Sequence, residues 1–116
     1  MERRARLRRA GDFQRVWREG RSWSHPSLVL VACPNKLDRT RVGVVASRKI
    51  GKAVARNRAR RLLRAAARGL YGRLMPGWDL ILIARPAILE LKSPAVQETL
   101  EFLTARAGLL VQEGAK

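Results

Sequence analysis

Short apolar runs separated by turn residues occupy the middle of the chain. Residues 27–33, 41–47 and 79–84 are runs of strand length rich in Val, Ile and Leu, which is the pattern of buried β-strands. The run DLILIA at 79–84 shows little alternation with polar residues, so we expect it to be buried on both faces of a sheet. Residues 34–40 contain Pro, Asn and Asp, and we expect them to join the first two runs as a hairpin loop.

Two smaller features modify this strand pattern. Residues 21–24 precede the break at His25 and Pro26 and form a short extended segment. Gly43 lies inside the second apolar run. Because glycine has no side chain, we expect a thin spot on the sheet surface there.

Helical periodicity appears on both sides of these strands. Asp12 is suited to cap a helix that runs to about Glu19, in which Phe13, Val16 and Trp17 share one face. An aromatic pair at this spacing is more often core packing than a binding feature. Near the C-terminus, Ser93 and Pro94 predict a helix start and an apolar face continues to about Val111.

Residues 51–71 predict a third helix, with six arginines between Arg56 and Arg68 and no acidic residue among them. At roughly 100° per residue the helix has an apolar face and an opposite basic face. The basic face carries Asn57, Arg60, Arg61, Arg64 and Arg68, with Arg56 and Arg58 at its borders. Solvated helix faces usually mix charges of both signs, so this face favours a polyanionic partner.

The order of elements is therefore αβββαβα. We predict an α+β fold, a two-layer α/β sandwich in which three helices pack on a mixed sheet of about four strands. The 116 residues fit a single domain. Residues 1–10 hold five arginines, and we expect them to form a basic arm that is either flexible or ordered by RNA.

Charge indicates the class of partner. The chain has 25 Lys and Arg against 9 Asp and Glu, a formal net charge of +16. Residues 1–73 hold 21 basic and 4 acidic residues, a net charge of +17, whereas residues 74–116 have a net charge of −1. This asymmetry is typical of a nucleic-acid-binding protein. A membrane role is less favoured, because no long apolar segment or Lys-rich amphipathic segment occurs.

The sequence offers little for catalysis within the chain. Its acidic residues are scattered and it has one histidine, whereas a protein nuclease needs clustered carboxylates or a histidine acid–base pair. The single cysteine, Cys33, cannot form an internal disulfide or a zinc site. It suits a reducing compartment, and we expect a cytoplasmic protein. We assign no catalytic and no metal-binding residue.

The run RVGVVASRKIGKAVARNRARRLLR at 41–64 closely resembles the signature of the protein subunit of bacterial ribonuclease P. The matching features are the strand that ends in the Ser47–Gly51 bend and the Arg56–Asn57–Arg58 triplet with the arginines that follow it. Upstream, the spacing of Phe13 and Trp17 is similar to that of the family's first helix.

The resemblance implies a function. Members of this family are protein cofactors of a catalytic RNA, and the complex cuts the 5′ leader from precursor tRNA. The RNA holds the active site and most of the Mg²⁺, so no ion is expected to bind tightly to the protein. The implied partners are the catalytic RNA and precursor tRNA, with no obligate protein partner. The family fold contains a left-handed βαβ crossover.

The resemblance also implies roles for residues. The catalytic RNA is expected at Arg56, Asn57, Arg58, Arg60, Arg61 and Arg64, and helix geometry adds Arg68. A separate cleft for the single-stranded leader is expected at Phe13, Trp17, Val31, Arg48, Lys49 and Lys52. Val31 stands where some members have an aromatic residue. Two alternatives stay open, namely a ribosomal or general RNA-binding protein and an independent metal nuclease.

Overall fold

Four strands and three helices follow one another in the predicted order in a computed structural model that describes residues 2–111. The strands are β1 (Arg21–Ser24), β2 (Leu28–Pro34), β3 (Arg41–Val45) and β4 (Trp78–Ala84). The helices are α1 (Ala10–Glu19), α2 (Ala53–Leu70) and α3 (Ser93–Arg106). The α+β class is confirmed, but α3 ends at Arg106 and not near Val111.

The sheet has the strand order β1-β2-β4-β3. The expected hairpin between β2 and β3 is therefore wrong, because β4 lies between them. β4 pairs antiparallel with β2 and parallel with β3. Its apolar side chains need cover on both faces, and a central position supplies it. β3, α2 and β4 form the βαβ unit for which the family resemblance implies a left-handed crossover.

One face of the sheet is covered by α2 and α3. Leu63 and Leu70 of α2 and Leu100 of α3 are buried against Leu30 and Leu82 of the sheet in the main apolar core. A large apolar area is thereby removed from water, which is the main source of stability in a domain of this size.

The two helices α2 and α3 pack closely at Gly69. A Cβ atom added to Gly69 of α2 would lie 2.3 Å from Oε1 of Gln97 in α3. The space beside Gly69 is therefore filled by the end of the Gln97 side chain, which packs α3 against α2 at this point.

The other face of the sheet is covered in part by α1. Val16 of α1 packs with Val31, Cys33 and Ile81 in a second, smaller core to which Leu7 also belongs. Each of these side chains is buried. Because α1 has only ten residues, it leaves part of this face uncovered.

Asp79 ties α1 to the sheet through a buried ionic network. The Asp79 side chain is fully buried, and Arg41 donates to both of its oxygens at 2.9 and 2.7 Å. Asn35 donates to Oδ1 at 2.9 Å, and Arg15 of α1 donates to Oδ2. A carboxylate with this many donors is stabilised in its charged form.

Asp12 joins this network and does not cap the helix. α1 begins at Ala10 with no side-chain cap hydrogen bond, and the Asp12 carboxylate lies 3.4 Å from a guanidinium nitrogen of Arg41. The expected cap is therefore wrong, because Asp12 lies within the first turn. Two side chains of α1, Asp12 and Arg15, thus contact the same charged cluster on the sheet.

Residues 2–9, which we call the N-terminal strap, pack against the edge of β3. Ala5 and Leu7 are each 3% exposed, and the N–H of Leu7 donates to the carbonyl of Val42 at 3.0 Å. Arg39 Nε donates to the carbonyl of Arg4 at 2.8 Å. The expectation of a flexible arm therefore needs correction, because two buried apolar side chains and strand-like pairing anchor this segment.

We expect Asp79→Asn to lower the free energy of unfolding by about 1–3 kcal/mol, because it leaves the guanidinium groups of Arg41 and Arg15 around a buried neutral amide. The matched control is Asp38→Asn, since the Asp38 side chain is 83% exposed and its loss should change stability by less than about 0.5 kcal/mol. Urea unfolding of both variants makes the comparison. Equal midpoints would contradict a structural role for Asp79.

The pH dependence of stability should report the same network. Burial would raise the pKa of Asp79, but hydrogen bonds from Arg41 and Asn35 and the charges of Arg41 and Arg15 outweigh it and hold this pKa below its ordinary value. Because the pKa of Asp79 is lower in the folded state, its ionisation stabilises the fold at pH values above the unfolded pKa of about 3.9. This stabilisation is lost as the pH falls through the folded pKa. The stability difference between wild type and Asp79→Asn should therefore narrow below about pH 4.

Candidate nucleic-acid interface

The outer face of α2 presents its basic side chains to solvent. Asn57, Arg61, Arg64 and Arg68 are exposed, and Arg60 donates to Oδ1 of Asn57 at 2.5 Å. Among residues 2–111, no acidic side chain forms an ion pair with an arginine of α2. The face predicted from helical periodicity is confirmed as a surface of nearly pure positive charge.

The two border arginines make contacts with the protein itself. Arg58 donates to the carbonyl of Leu89 at 2.8 Å, which links α2 to the segment before α3. Arg56 makes a longer contact, 3.4 Å, with the carbonyl of Gly51. Arg58 therefore has a structural contact that the sequence did not reveal, since its partner lies 31 residues away.

Phe13 and Trp17 differ in exposure although they share one face of α1. Phe13 is half-buried over β3, and a Cβ added to Gly43 would lie 2.5 Å from its ring atom Cζ. The expected thin spot at Gly43 is confirmed, and the Phe13 ring occupies it. Trp17 is 49% exposed, so its ring is available to a partner.

Val31 does not line an open surface. It is 6% exposed and lies in the small core beneath α1, so the expectation that it lines the leader cleft needs correction. The open part of this face lies two residues earlier, where Val29 pairs with Ile83 and Ile83 pairs with Val45. We call Val29, Ile83 and Val45 the open row.

The open row was missed because its members come from three strands. Its three side chains are half-buried and extend from the small core under α1 toward solvent. Alternation along β2 indicates that Val29 and Val31 share a face. Whether α1 covers Val29 or Val31 depends on the position of the helix over the sheet. The local sequence pattern does not predict this position.

Basic residues border the end of β3 near the open row. Arg48, Lys49 and Lys52 are exposed in the bend between β3 and α2. The bend is shaped by Ser47, whose Oγ accepts the N–H of Lys49 at 3.3 Å, and by Gly51 at a φ of 141°. The expected placement of these three cations beside the sheet and ahead of α2 agrees with the structure.

A groove joins the α1 side of the sheet edge to the arginine face. Phe13 and Gly43 form part of its floor, and its volume is about 190 Å³. Arg64 and Arg68 of α2 line it, as do Arg6 and Arg8 of the N-terminal strap. We expected a cleft separate from the arginine helix, but two arginines of that helix share this groove with Phe13.

The described residues hold neither a metal-binding cluster nor a membrane-spanning helix. In the described part of the chain, no three His, Cys, Asp or Glu side chains are grouped so that they could hold a metal ion. No helix within residues 2–111 has the length and apolar character that crossing a membrane requires.

These observations define a small basic α+β protein with a half-open mixed sheet and an arginine-lined groove at its edge. The family model for ribonuclease P matches residues 1–108. The chain is 44% identical over 111 residues to the ribonuclease P protein component of Roseiflexus sp. (strain RS-1), covering 95% of this chain and 91% of that protein. It is 42% identical to the protein component of Symbiobacterium thermophilum, covering 98% and 100% of the two chains.

Solved structures show the same relationship. A mutant RNase P protein of Staphylococcus aureus superposes with a TM-score of 0.86 at 32% identity, over 95% of this chain and 93% of that one. The RNase P protein of Thermotoga maritima gives a TM-score of 0.76 at 32% identity, over 86% and 96%. The chain therefore belongs to the ribonuclease P protein family, and its role is in tRNA processing by ribonuclease P.

We expect Gly43→Ala to displace the Phe13 ring and the strap together. The added methyl group would lie 2.5 Å from Phe13 Cζ and 3.1 Å from the carbonyl oxygen of Leu7. Overpacking of this kind costs about 1–3 kcal/mol, which thermal unfolding would detect. Gly11→Ala is the matched control, since nothing lies within 4 Å of its added methyl. A variant at Gly43 as stable as the control would contradict the close packing.

Proposed function

We propose that this chain is the RNA-binding protein cofactor of ribonuclease P. The arginine face of α2 binds the catalytic RNA, and the surface formed by α1, the open row and the adjoining groove binds the 5′ leader of precursor tRNA. The catalytic centre and its Mg²⁺ lie mainly in the RNA. The protein acts in the cytoplasm, which agrees with its single, unpaired Cys33.

The observation that carries the proposal is the exposed, unneutralised charge of α2. Like charges three and four residues apart destabilise a helix by a few tenths of a kcal/mol per pair. A polyphosphate backbone removes this repulsion and releases its own counterions on binding. Arginine is suited to the task because its planar guanidinium can donate two parallel hydrogen bonds to one phosphate.

The surface beside α1 is suited to a single strand. Trp17 offers an exposed ring on which an unpaired base can stack, while the open row supplies an apolar floor. Arg48, Lys49 and Lys52 lie at the β3 end of that surface, within the reach of a phosphate backbone. Stacking on aromatic rings with flanking positive charge is the usual way to hold unpaired RNA.

The location of catalysis is supported by the distribution of carboxylates. The buried carboxylate of Asp79 accepts hydrogen bonds from Arg41, Asn35 and Arg15. It is therefore not available to a metal ion at the surface. Two-metal cleavage of a phosphodiester needs a set of oxygen ligands around both ions. RNA phosphates can supply these ligands, and the described residues bring no comparable set together.

The test is cleavage of precursor tRNA by a bacterial ribonuclease P RNA in the presence and absence of this protein. We expect the protein to lower the Mg²⁺ concentration that half-maximal cleavage requires, because it screens repulsion between the two RNAs. No change in the Mg²⁺ requirement would favour a general RNA-binding protein. Cleavage by the protein alone would overturn the proposal in favour of a nuclease.

The triple substitution Arg60→Ala, Arg61→Ala, Arg64→Ala should weaken binding to the catalytic RNA and flatten its salt dependence. Each lost phosphate contact should reduce the slope of log K against log salt by about 0.7–0.9. The matched control removes three exposed arginines elsewhere, Arg18, Arg85 and Arg106. If the slope of log K against log salt falls equally in both triple variants, α2 is not a specific binding surface for the catalytic RNA.

Replacement of Trp17 by alanine should weaken binding of precursor tRNA by about 1–3 kcal/mol if its ring stacks on a leader base. Phe102→Ala is the matched control, because Phe102 is an exposed aromatic residue of α3. α3 covers the opposite face of the sheet from α1. The measurement is the Kd of the protein–RNA complex for substrates with and without a leader. Equal loss for both substrates would show that Trp17 does not bind the leader.

A further inference from the structure

The groove beside Phe13 has a second space next to it at Arg68. A larger cavity of about 520 Å³ follows it between the N-terminal strap and the C-terminal end of α2. Arg68 lines both spaces, so the two spaces adjoin at this side chain. Together we call them the trough, which has the strap on one side and α2 on the other. The second cavity, which we call the Tyr71 pocket, is lined by Glu2, Arg4, Ala5, Asp38, Arg39, Arg68, Tyr71 and Gly72.

Side chains of the Tyr71 pocket are held in place by contacts with the fold. The Tyr71 hydroxyl donates to the carbonyl of Thr40 at 2.5 Å, which fixes the orientation of its half-buried ring. Arg39 is fixed by the hydrogen bond from its Nε to the carbonyl of Arg4. An aromatic ring and the guanidinium of Arg39 are therefore preorganised on the pocket wall, which lowers the entropic cost of binding.

We propose that the Tyr71 pocket is a second nucleotide subsite, which takes an unpaired ribonucleotide of the same leader strand that passes Phe13. Its base packs against the Tyr71 ring, and its phosphates contact Arg4, Arg39 and Arg68. The proposal rests on the proposed function, because it extends the leader path from the Phe13 groove. The cavity volume lies within the range of 300–1,000 Å³ that is common for small-ligand sites.

Charge in the pocket supports an anionic ligand that competes with one carboxylate. Asp38 lies 4.0 Å from Arg4 and 3.7 Å from Arg39, and its side chain is 83% exposed. Exposed ion pairs of this kind contribute little to stability. A phosphate can therefore replace Asp38 as the partner of these arginines at low cost. The pocket lining has three arginines, Arg4, Arg39 and Arg68, and two carboxylates, Glu2 and Asp38. The lining therefore has a net positive charge.

The experiment measures binding of fluorescein-labelled single-stranded RNAs of increasing length to the protein alone. The pocket variant is Arg4→Gln with Arg39→Gln. The matched control is Arg3→Gln with Arg9→Gln, which also removes two arginine charges, at strap positions outside the pocket lining. We expect the pocket variant to bind long oligonucleotides about tenfold more weakly than wild type, with little change for the shortest ones. The control variant should lose less affinity than the pocket variant, and its loss should be the same for oligonucleotides of every length. Equal, length-independent losses in both variants would overturn the proposal.

Asp38→Asn gives a test of opposite sign. Removing the competing carboxylate should tighten binding of the long oligonucleotides by about threefold and leave the short ones unchanged. This variant keeps every arginine, so a fold damaged by the loss of Arg39 cannot explain the result. Unchanged or weaker binding of long oligonucleotides would count against a phosphate in this pocket.

Affinity measurements on the assembled ribonucleoprotein identify which RNA occupies the pocket. Precursor tRNAs with leaders of graded length should show a loss of affinity in the pocket variant only when the leader is long. A loss that is independent of leader length would overturn the leader assignment and point to the catalytic RNA. Because the oligonucleotide measurements need no catalytic RNA, a failure of the proposed function would appear separately, as an unchanged Mg²⁺ requirement for cleavage with the wild-type protein.

Discussion

Asp79 is the point on which the geometry of this protein depends. Its buried carboxylate contacts Arg41 of β3 and Arg15 of α1 at once, so it links the helix to the sheet at a defined point. The position of α1 buries Val16 in the small core and leaves Trp17 half exposed. Removing one partner of a buried ion pair is costly although the pair itself adds little net stability, so this contact favours the observed placement of α1. The width of the surface beside α1 is set in this way.

The strap and α2 turn a charged helix into a trough. The strap alone is a basic segment, and α2 alone is a basic face. Burial of Ala5 and Leu7 brings the two together, so that arginines line both walls with Phe13 at one end and Tyr71 at the other. Positive charge that converges from two walls gives a stronger local field for an anionic ligand than the same charge on a flat surface. The arginine face of α2 and the surface beside α1 are therefore less separate than the sequence indicates, because Arg64 and Arg68 line the groove that also contains Phe13.

Local patterns predicted the elements well, and pairings between distant elements poorly. The arginine face of α2 and the central burial of β4 follow from periodicity and from an uninterrupted apolar run, and both are confirmed. The hairpin between β2 and β3 was wrong because sequence proximity does not decide strand order. Val31 was misplaced for a related reason, since α1 covers it and leaves Val29 at the edge of the cover.

The sequence by itself determined the class of fold, the family and the basic face of α2, because each of these is written in residues close together in the chain. Only the tertiary structure decided that the strap lies against β3, that the open row is Val29, Ile83 and Val45, and that Arg68 connects Phe13 with Tyr71. The physical reason is that burial and cross-strand register depend on contacts between residues tens of positions apart. Gly51 to Tyr71 is thus a basic helix in the sequence, and in the structure it is one wall of a trough.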